Sequence, residues 1–134
     1  MRVTLIALAV GAGFWTSSAL AEDCSSAQSQ ADMTACADRQ FKQADAELNA
    51  SYKQIMARLK DDADTSKLLV SAQKAWVAFR DAECSFSSSA AIGGSIHPML
   101  VAQCREGLTR KRVDDLKVYL SCEEGDLSCP VPTQ

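Results

Sequence analysis

Glycine and proline are scarce in this sequence, with six and three among 134 residues. Neither occurs between Cys24 and Gly93, so that span lacks the two residues that most often interrupt regular structure. No segment alternates apolar and polar residues convincingly with the period of two that marks a half-buried strand. These absences predict an all-α fold.

Histidine is equally scarce, since His97 is the only one, and no two of the six cysteines have C-x-x-C spacing. A zinc site needs more ligands of these kinds at closer spacing. A Ser–His or Cys–His nucleophile would depend on His97 as its base, and the sequence suggests no acid to orient it. We therefore expect no metal, no cofactor and no enzymatic activity.

Long apolar runs are absent except near the N-terminus, at residues 3–15. This run follows Met1-Arg2 and leads to Ala19-Leu20-Ala21, the order of a cleavable secretory signal peptide covering residues 1–21. The run is shorter than the roughly 20 residues that span a bilayer. Glu22-Asp23 before Cys24 does not fit a lipoprotein site, so we expect no membrane anchor after cleavage.

An excess of positive charge is also missing. Removal of residues 1–21 takes away Arg2 alone among the charged residues, which leaves 13 basic and 17 acidic residues and a formal charge of −4. Nucleic acid would favour a basic face, so it is not an expected partner. An acidic surface instead favours a cationic protein partner, in the periplasm or outside the cell.

Helix signals divide residues 22–121 into three segments. Ser29 and Asp32 resemble a capping box at the start of a helix over about residues 30–60. Asp64 or Thr65 is the predicted cap of a second helix, which runs to Cys84. Its predicted buried stripe is Leu69, Ala72, Trp76, Phe79 and Glu83, with Leu68, Val77 and Cys84 beside it.

Residues 85–97 lose helical periodicity and read as a serine- and glycine-rich loop. Pro98 suits the first turn of a third helix, which continues to about residue 121. Residues 122–134 form an acidic, proline-containing tail. Because each helix exposes an apolar stripe that the others can bury, we predict a small antiparallel bundle of three long helices.

Six cysteines in an exported chain indicate disulfides, and six allow 15 connectivities. The position of each cysteine relative to the helices selects among them. A bond from Cys24 to Cys36 would pin the N-terminal arm to the first helix. The other predicted pairs are Cys84–Cys104, which closes the long loop, and Cys122–Cys129, which closes the tail.

Two sequence elements resemble a known family. Residues 44–52 (ADAELNASY) and 72–84 (AQKAWVAFRDAEC) are similar to the LprI-type lysozyme-inhibitor family, as are Gly94-Ser95 before Cys104 and Thr109-x-x-Arg112. The resemblance covers nearly all of the chain from Cys24 to about Leu120. It implies a helical, disulfide-linked, exported domain with lysozyme inhibition as its activity.

Four polar residues fall in or beside these apolar faces: Asp45, Asn49, Arg80 and Arg112. Carboxylate and guanidinium groups can satisfy each other between helices. We predict a partly buried network in which Asp45 pairs with Arg80 and Arg112 and fixes the register of the helices.

The long loop is the predicted partner-binding surface. Lysozyme presents one protonated and one ionised carboxyl group, so an occluding loop needs hydrogen-bond donors. The candidate donors are Gly93, Gly94, Ser95 and His97. The acidic segment 123–126 could instead meet the basic rim of a lysozyme. The alternative function is a non-inhibitory interaction or stability module of the cell envelope.

Overall fold

A computed structural model describes residues 24–133, and the predicted signal peptide lies outside this range. The described chain contains three α-helices: α1 (Gln30–Arg58), α2 (Ala63–Ser87) and α3 (His97–Leu120). Single 3-10 turns occupy Cys24–Ser26 and Ser89–Ala91. With no strand among the described residues, the prediction of an all-α bundle of three helices is confirmed. None of these helices has the length and apolarity needed to cross a bilayer.

The start of α1 is the capping box that the sequence predicts. The Ser29 hydroxyl accepts a hydrogen bond from the Asp32 backbone N–H at 3.1 Å. The Asp32 carboxylate accepts one in return from the Ser29 backbone N–H at 3.3 Å. Two backbone donors that the helix itself cannot satisfy thus find partners.

The start of α2 differs from the prediction, because its cap is Asp62 rather than Asp64 or Thr65. The Asp62 carboxylate accepts a hydrogen bond from the Thr65 backbone N–H at 3.0 Å. Thr65 is therefore the third residue of the helix, which is the usual target of a capping side chain. At the other end, α2 continues past Cys84 to Ser87, so the connecting loop is shorter than the sequence suggests.

The Asp62 cap makes the stability of α2 depend on pH. Hydrogen bonds from the Thr65 backbone and side chain hold the pKa of Asp62 below its ordinary value. A carboxyl group with a lowered pKa in the folded state stabilises that state above its unfolded pKa, near 4, and loses this contribution as pH falls through its folded pKa. We expect any stability advantage of the wild type over Asp62→Asn to shrink in urea unfolding as pH falls below about 4.

The control for this measurement is Asp61→Asn, which removes the same charge one residue before the cap. A difference between wild type and Asp62→Asn that stays constant from neutral pH to pH 3 would contradict the role of the ionised cap.

The helices α1 and α3 form the main contact of the bundle and run in the same direction. At their N-terminal ends, the Gln30 side-chain amide lies 3.6 Å from the Met99 sulfur. At their C-terminal ends, Arg58 donates to the Leu120 carbonyl at 2.8 Å. The contacts of α2 with α3 run in the opposite sense. The central buried cluster comprises Leu48, Ile55, Leu59, Val113, Leu116 and Val131.

The tail contributes to this core. Val131 follows the last cysteine and is 4% exposed among the buried residues of α1 and α3. Cys122 packs against the same cluster. The packed domain therefore extends past residue 121, where the sequence analysis places the end of the helical domain.

The buried face of α2 is rotated relative to the predicted one. Phe79 is 55% exposed and Leu68 is 70% exposed, whereas Arg80 and Cys84 are buried. The stripe that faces the core is Leu69, Gln73, Trp76, Arg80 and Cys84. Both stripes have steps of three and four residues, so periodicity alone selects neither. The observed stripe is the buried one because α1 and α3 provide polar and aromatic partners for Arg80.

Candidate functional site

Arg80 lies at the centre of the polar cluster between the helices. Its guanidinium contacts Asp45 of α1 at 3.4 Å and Asp81 at 3.0 Å. It also lies 3.5 Å from the hydroxyl of the fully buried Thr109 on α3. One side chain of α2 thus contacts both neighbouring helices through directional bonds, which fixes their register.

Aromatic rings complete the surroundings of Arg80. Its guanidinium carbon lies 5.2 Å from the ring centroids of both Phe41 and Trp76, within the range of a cation–π interaction. The Arg80 side chain is only 9% exposed, while the Asp45 side chain is 41% exposed. The cluster is therefore a buried cation with partly solvated acidic partners.

The predicted network is only partly present. Asn49 donates to Asp45 at 3.1 Å, and Asp45 pairs with Arg80. Arg112, in contrast, bonds the side-chain oxygen of Gln73 at 3.2 Å, so the predicted pairing of Arg112 with Asp45 is wrong. Arg112 and Arg80 share a different neighbour, because the Arg112 guanidinium carbon lies 6.0 Å from the Trp76 ring.

The second candidate site is the α2–α3 loop, which we define as residues 92–97. Cys84 and Cys104 are bonded on either side of it, with Cα atoms 5.5 Å apart. The structure also contains the other two predicted pairs, Cys24–Cys36 and Cys122–Cys129. The Cys84–Cys104 bond joins the last turns of α2 to the first turns of α3. The loop between these helices is therefore held at both ends.

A histidine–serine contact joins the two helices at the ends of the loop. The buried Ser88 hydroxyl donates to the Cys84 carbonyl at 2.7 Å. Its oxygen lies 3.3 Å from the Nε2 atom of His97. Since the hydroxyl donates to the carbonyl, the Ser88 oxygen is free to accept a hydrogen bond from the ring in the tautomer that has its proton on Nε2. This contact ties the first residue of α3 back to the end of α2.

Two of the predicted donors are thereby already used. The His97 Nε2 atom is in contact with Ser88, and the Gly94 backbone N–H bonds the Ala91 carbonyl at 2.9 Å. Gly93 supplies the turn, with a positive φ of 85°, a conformation in which a side chain is strained. Ser95 remains exposed, and its hydroxyl is the side-chain donor that the loop presents.

The loop also presents apolar side chains that the sequence analysis did not single out. Ile92 is 70% exposed and Ile96 is 42% exposed, on either side of the Gly93–Ser95 turn. Ser95 and Pro98 line an open groove whose other wall is the start of α1, including Gln30, Thr34 and Asp38. The exposed surface is therefore mixed, with two isoleucines, one hydroxyl and a neighbouring carboxylate.

The acidic segment of the tail is a separate exposed surface. Asp126 accepts hydrogen bonds from the Ser128 backbone at 2.9 Å and hydroxyl at 2.6 Å. These bonds lower the pKa of Asp126. The adjacent Leu127 is fully exposed. Among the described residues, no group of three or more histidine, cysteine or acidic side chains could hold a metal ion.

Comparison with known proteins adds to this geometry. Residues 21–116 match the family described as lysozyme inhibitor LprI, which covers α1, α2 and most of α3. A protein of Rhizobium meliloti (strain 1021), uncharacterized protein R02472, is 39% identical over 113 residues. These residues span 76% of this chain and 81% of that relative. No solved structure gives a significant match.

Proposed function

This chain belongs to the LprI lysozyme-inhibitor family, and from that membership we propose that it is an exported inhibitor of lysozyme or a related muramidase. The inhibitor binds the enzyme as a protein partner and blocks its cleft with the α2–α3 loop. The family match is the observation that carries the proposal. The geometry of the loop supports the mode of binding.

Restraint of the loop favours tight binding. The Cys84–Cys104 bond joins the two helices that flank the loop, and the Ser88–His97 contact ties its last residue to the end of α2. Ordering a free loop on association costs about 0.5–1.5 kcal/mol for each immobilised side chain. A loop already held in one conformation avoids much of this cost.

The exposed groups of the loop suit a lysozyme cleft. Such a cleft contains one protonated and one ionised carboxyl group. The Ser95 hydroxyl can donate to the ionised carboxylate, and Ile92 and Ile96 can cover the apolar walls where a sugar ring would lie. The acidic charge of the chain attracts a cationic enzyme, which raises the association rate more than the final affinity.

Titration of a lysozyme with the oxidised protein tests the activity. We expect the rate of cell-wall lysis to fall towards zero near one equivalent for a tight complex. Undiminished lysis at a several-fold molar excess of folded protein, across more than one lysozyme class, would exclude inhibition. That result would favour the alternative of a non-inhibitory envelope module.

Substitution within the loop tests the proposed surface. Replacing Ile92 by Asp places a carboxylate against the acidic cleft, and we expect the inhibition constant to rise at least about 10-fold. The matched control is Val118→Asp on α3, because Val118 is also exposed, at 66%, and lies outside the loop. An equal rise in the inhibition constant for both variants would show that the loop is not the inhibitory surface.

A further inference from the structure

A second apolar stripe runs along α2 on its exposed side. We define the α2 seam by its six residues: Leu68, Ala72, Ala75, Phe79, Ala82 and Phe86. All six are exposed, with Leu68 at 70%, Phe79 at 55% and Phe86 at 77%. Because a neighbouring face of α2, which includes Leu69, Trp76 and Arg80, is already packed on the core, this helix has two apolar faces. A helix of that kind is expected to pack against two partners.

The seam extends over most of α2 and carries no charge. Its residues are separated by alternating steps of four and three, which is the spacing of a helix–helix contact. The residues beside it on the solvent side are also neutral, namely Ser71, Ala78 and Ser85. The seam positions themselves therefore carry no charge, and the nearest charged residues, Lys67, Lys74 and Glu83, lie at its margins.

We propose that two copies of this chain associate through the α2 seam. The steps of four, three, four, three and four read the same in both directions, with their centre at Val77. A two-fold symmetric dimer brings the same patch together from both subunits. A stripe with this symmetry meets itself in register when the two helices lie antiparallel with the axis at the level of Val77.

The sizes of the seam residues fit this arrangement. At the centre, each Phe79 faces Ala75 of the other copy, so a large side chain meets a small one twice. In the next layer Ala72 faces Ala82, and small residues there let the helices approach closely. At each end Leu68 faces Phe86, which closes the contact with two large apolar groups.

The exposed area is consistent with a modest affinity. If a fully exposed side chain of this size offers about 200 Å², the three large residues expose roughly 400 Å² in each copy. With the alanines, a dimer would bury on the order of 1,000 Å² in total, near the lower limit for a specific interface. We therefore expect a dimer that forms at micromolar concentrations and above.

Sedimentation velocity of the oxidised protein across a concentration series tests the proposal. We expect the sedimentation coefficient to rise with concentration from the monomer value to the dimer value. Phe79→Glu should weaken association at least about 30-fold, because the central layer contains Phe79 twice. Val118→Glu, at an exposed apolar position of α3, should leave it unchanged.

A wild-type protein that stays monomeric at several hundred micromolar would overturn the proposal. So would Phe79→Glu if it dimerised as well as the wild type while retaining the wild-type circular dichroism spectrum.

A pair of double variants tests the antiparallel register. Ala72→Lys with Ala82→Glu places opposite charges across the antiparallel contact and should leave a measurable dimer, weaker than the wild type because the longer side chains oppose the close approach of the helices. Ala72→Glu with Ala82→Glu places like charges there and should abolish it. In a parallel pairing each of these positions would face itself, so both variants would be repelled and the register would be wrong.

The proposed dimer and the proposed inhibition can be tested separately. Lysozyme inhibition per chain should be unchanged in Phe79→Glu, because the α2–α3 loop is untouched. The antiparallel arrangement sends the two loops to opposite ends of the dimer, at least about 30 Å apart by the rise of the helix. On the proposed function, a dimer would then bind two enzyme molecules.

Discussion

Replacement of Arg80 by Ala is expected to lower the free energy of unfolding by about 3 kcal/mol, within the range for loss of a large packed side chain. The variant loses the packing of the guanidinium between Phe41 and Trp76. It also removes a donor from the buried Thr109 hydroxyl. Thermal unfolding should show a melting temperature lower by about 10 °C.

The partners of Arg80 provide the controls. Asp45→Ala should lower the free energy of unfolding by about 1 kcal/mol or less, because the Asp45 carboxylate is 41% exposed and a solvated ion pair contributes little. The Arg80 guanidinium keeps its contacts with Asp81 and the two rings in this variant. Arg80→Lys should recover little of the loss, because an ammonium group lacks the planar face that packs on the rings. Equal destabilisation by Asp45→Ala and Arg80→Ala would mean that the ion pair, rather than the packing, stabilises the cluster.

Removal of the Cys84–Cys104 bond, by replacing both cysteines with Ala, is expected to impair stability and inhibition together. A bond across a sequence separation of 20 residues contributes about 3 kcal/mol in the chain-entropy model. Without it the α2–α3 loop must be ordered at the moment of binding. We expect inhibition to weaken at least about 10-fold, because several side chains then lose freedom on association.

The bond between Cys122 and Cys129 provides the matched control, since it lies in the tail and outside the α2–α3 loop. Its removal should lower the melting temperature and leave the inhibition constant unchanged. Both quantities should be measured at a temperature where each variant is folded, as judged by circular dichroism. Equal loss of inhibition in the two variants would show that general destabilisation, rather than loop order, limits binding.

Local signals in the sequence predict much of this fold. The capping box at Ser29 and Asp32 is a contact between residues three apart, so it is visible without tertiary structure. The cysteine pairs follow from positions near the ends of predicted helices, where the bonded residues are brought close by the connections. Pro98 near the start of α3 is also recognisable from the sequence, because its effect on the backbone is local.

Features that depend on tertiary partners are less accessible. Phe79 is more apolar than Arg80, so a reading by hydrophobicity places Phe79 in the core. Arg80 is buried instead because Asp45 and Phe41 of α1 and Thr109 of α3 meet it from other helices. The position of Arg112 has the same cause, since Gln73 becomes its partner only when α2 is rotated to its observed face.

Neighbours of the same residue type make two further structural positions, the α2 cap and the buried serine, hard to recognise in the sequence. Asp61, Asp62 and Asp64 can all cap a helix, and only the backbone direction after Leu59 selects Asp62. Ser88 is one of several serines after Cys84, and composition does not distinguish it from its neighbours. Its burial against His97 could be inferred only from the path that the chain takes between α2 and α3.

The placement of Val131 in the core has a consequence for the order of folding. A chain synthesised from its N-terminus presents Val131 after every other buried residue in the described range. The cluster formed by Leu59, Leu116 and their neighbours therefore cannot be completed until the last residues of that range are available. The core of this fold is closed by the end of the chain that the structure describes, and not by its three helices alone.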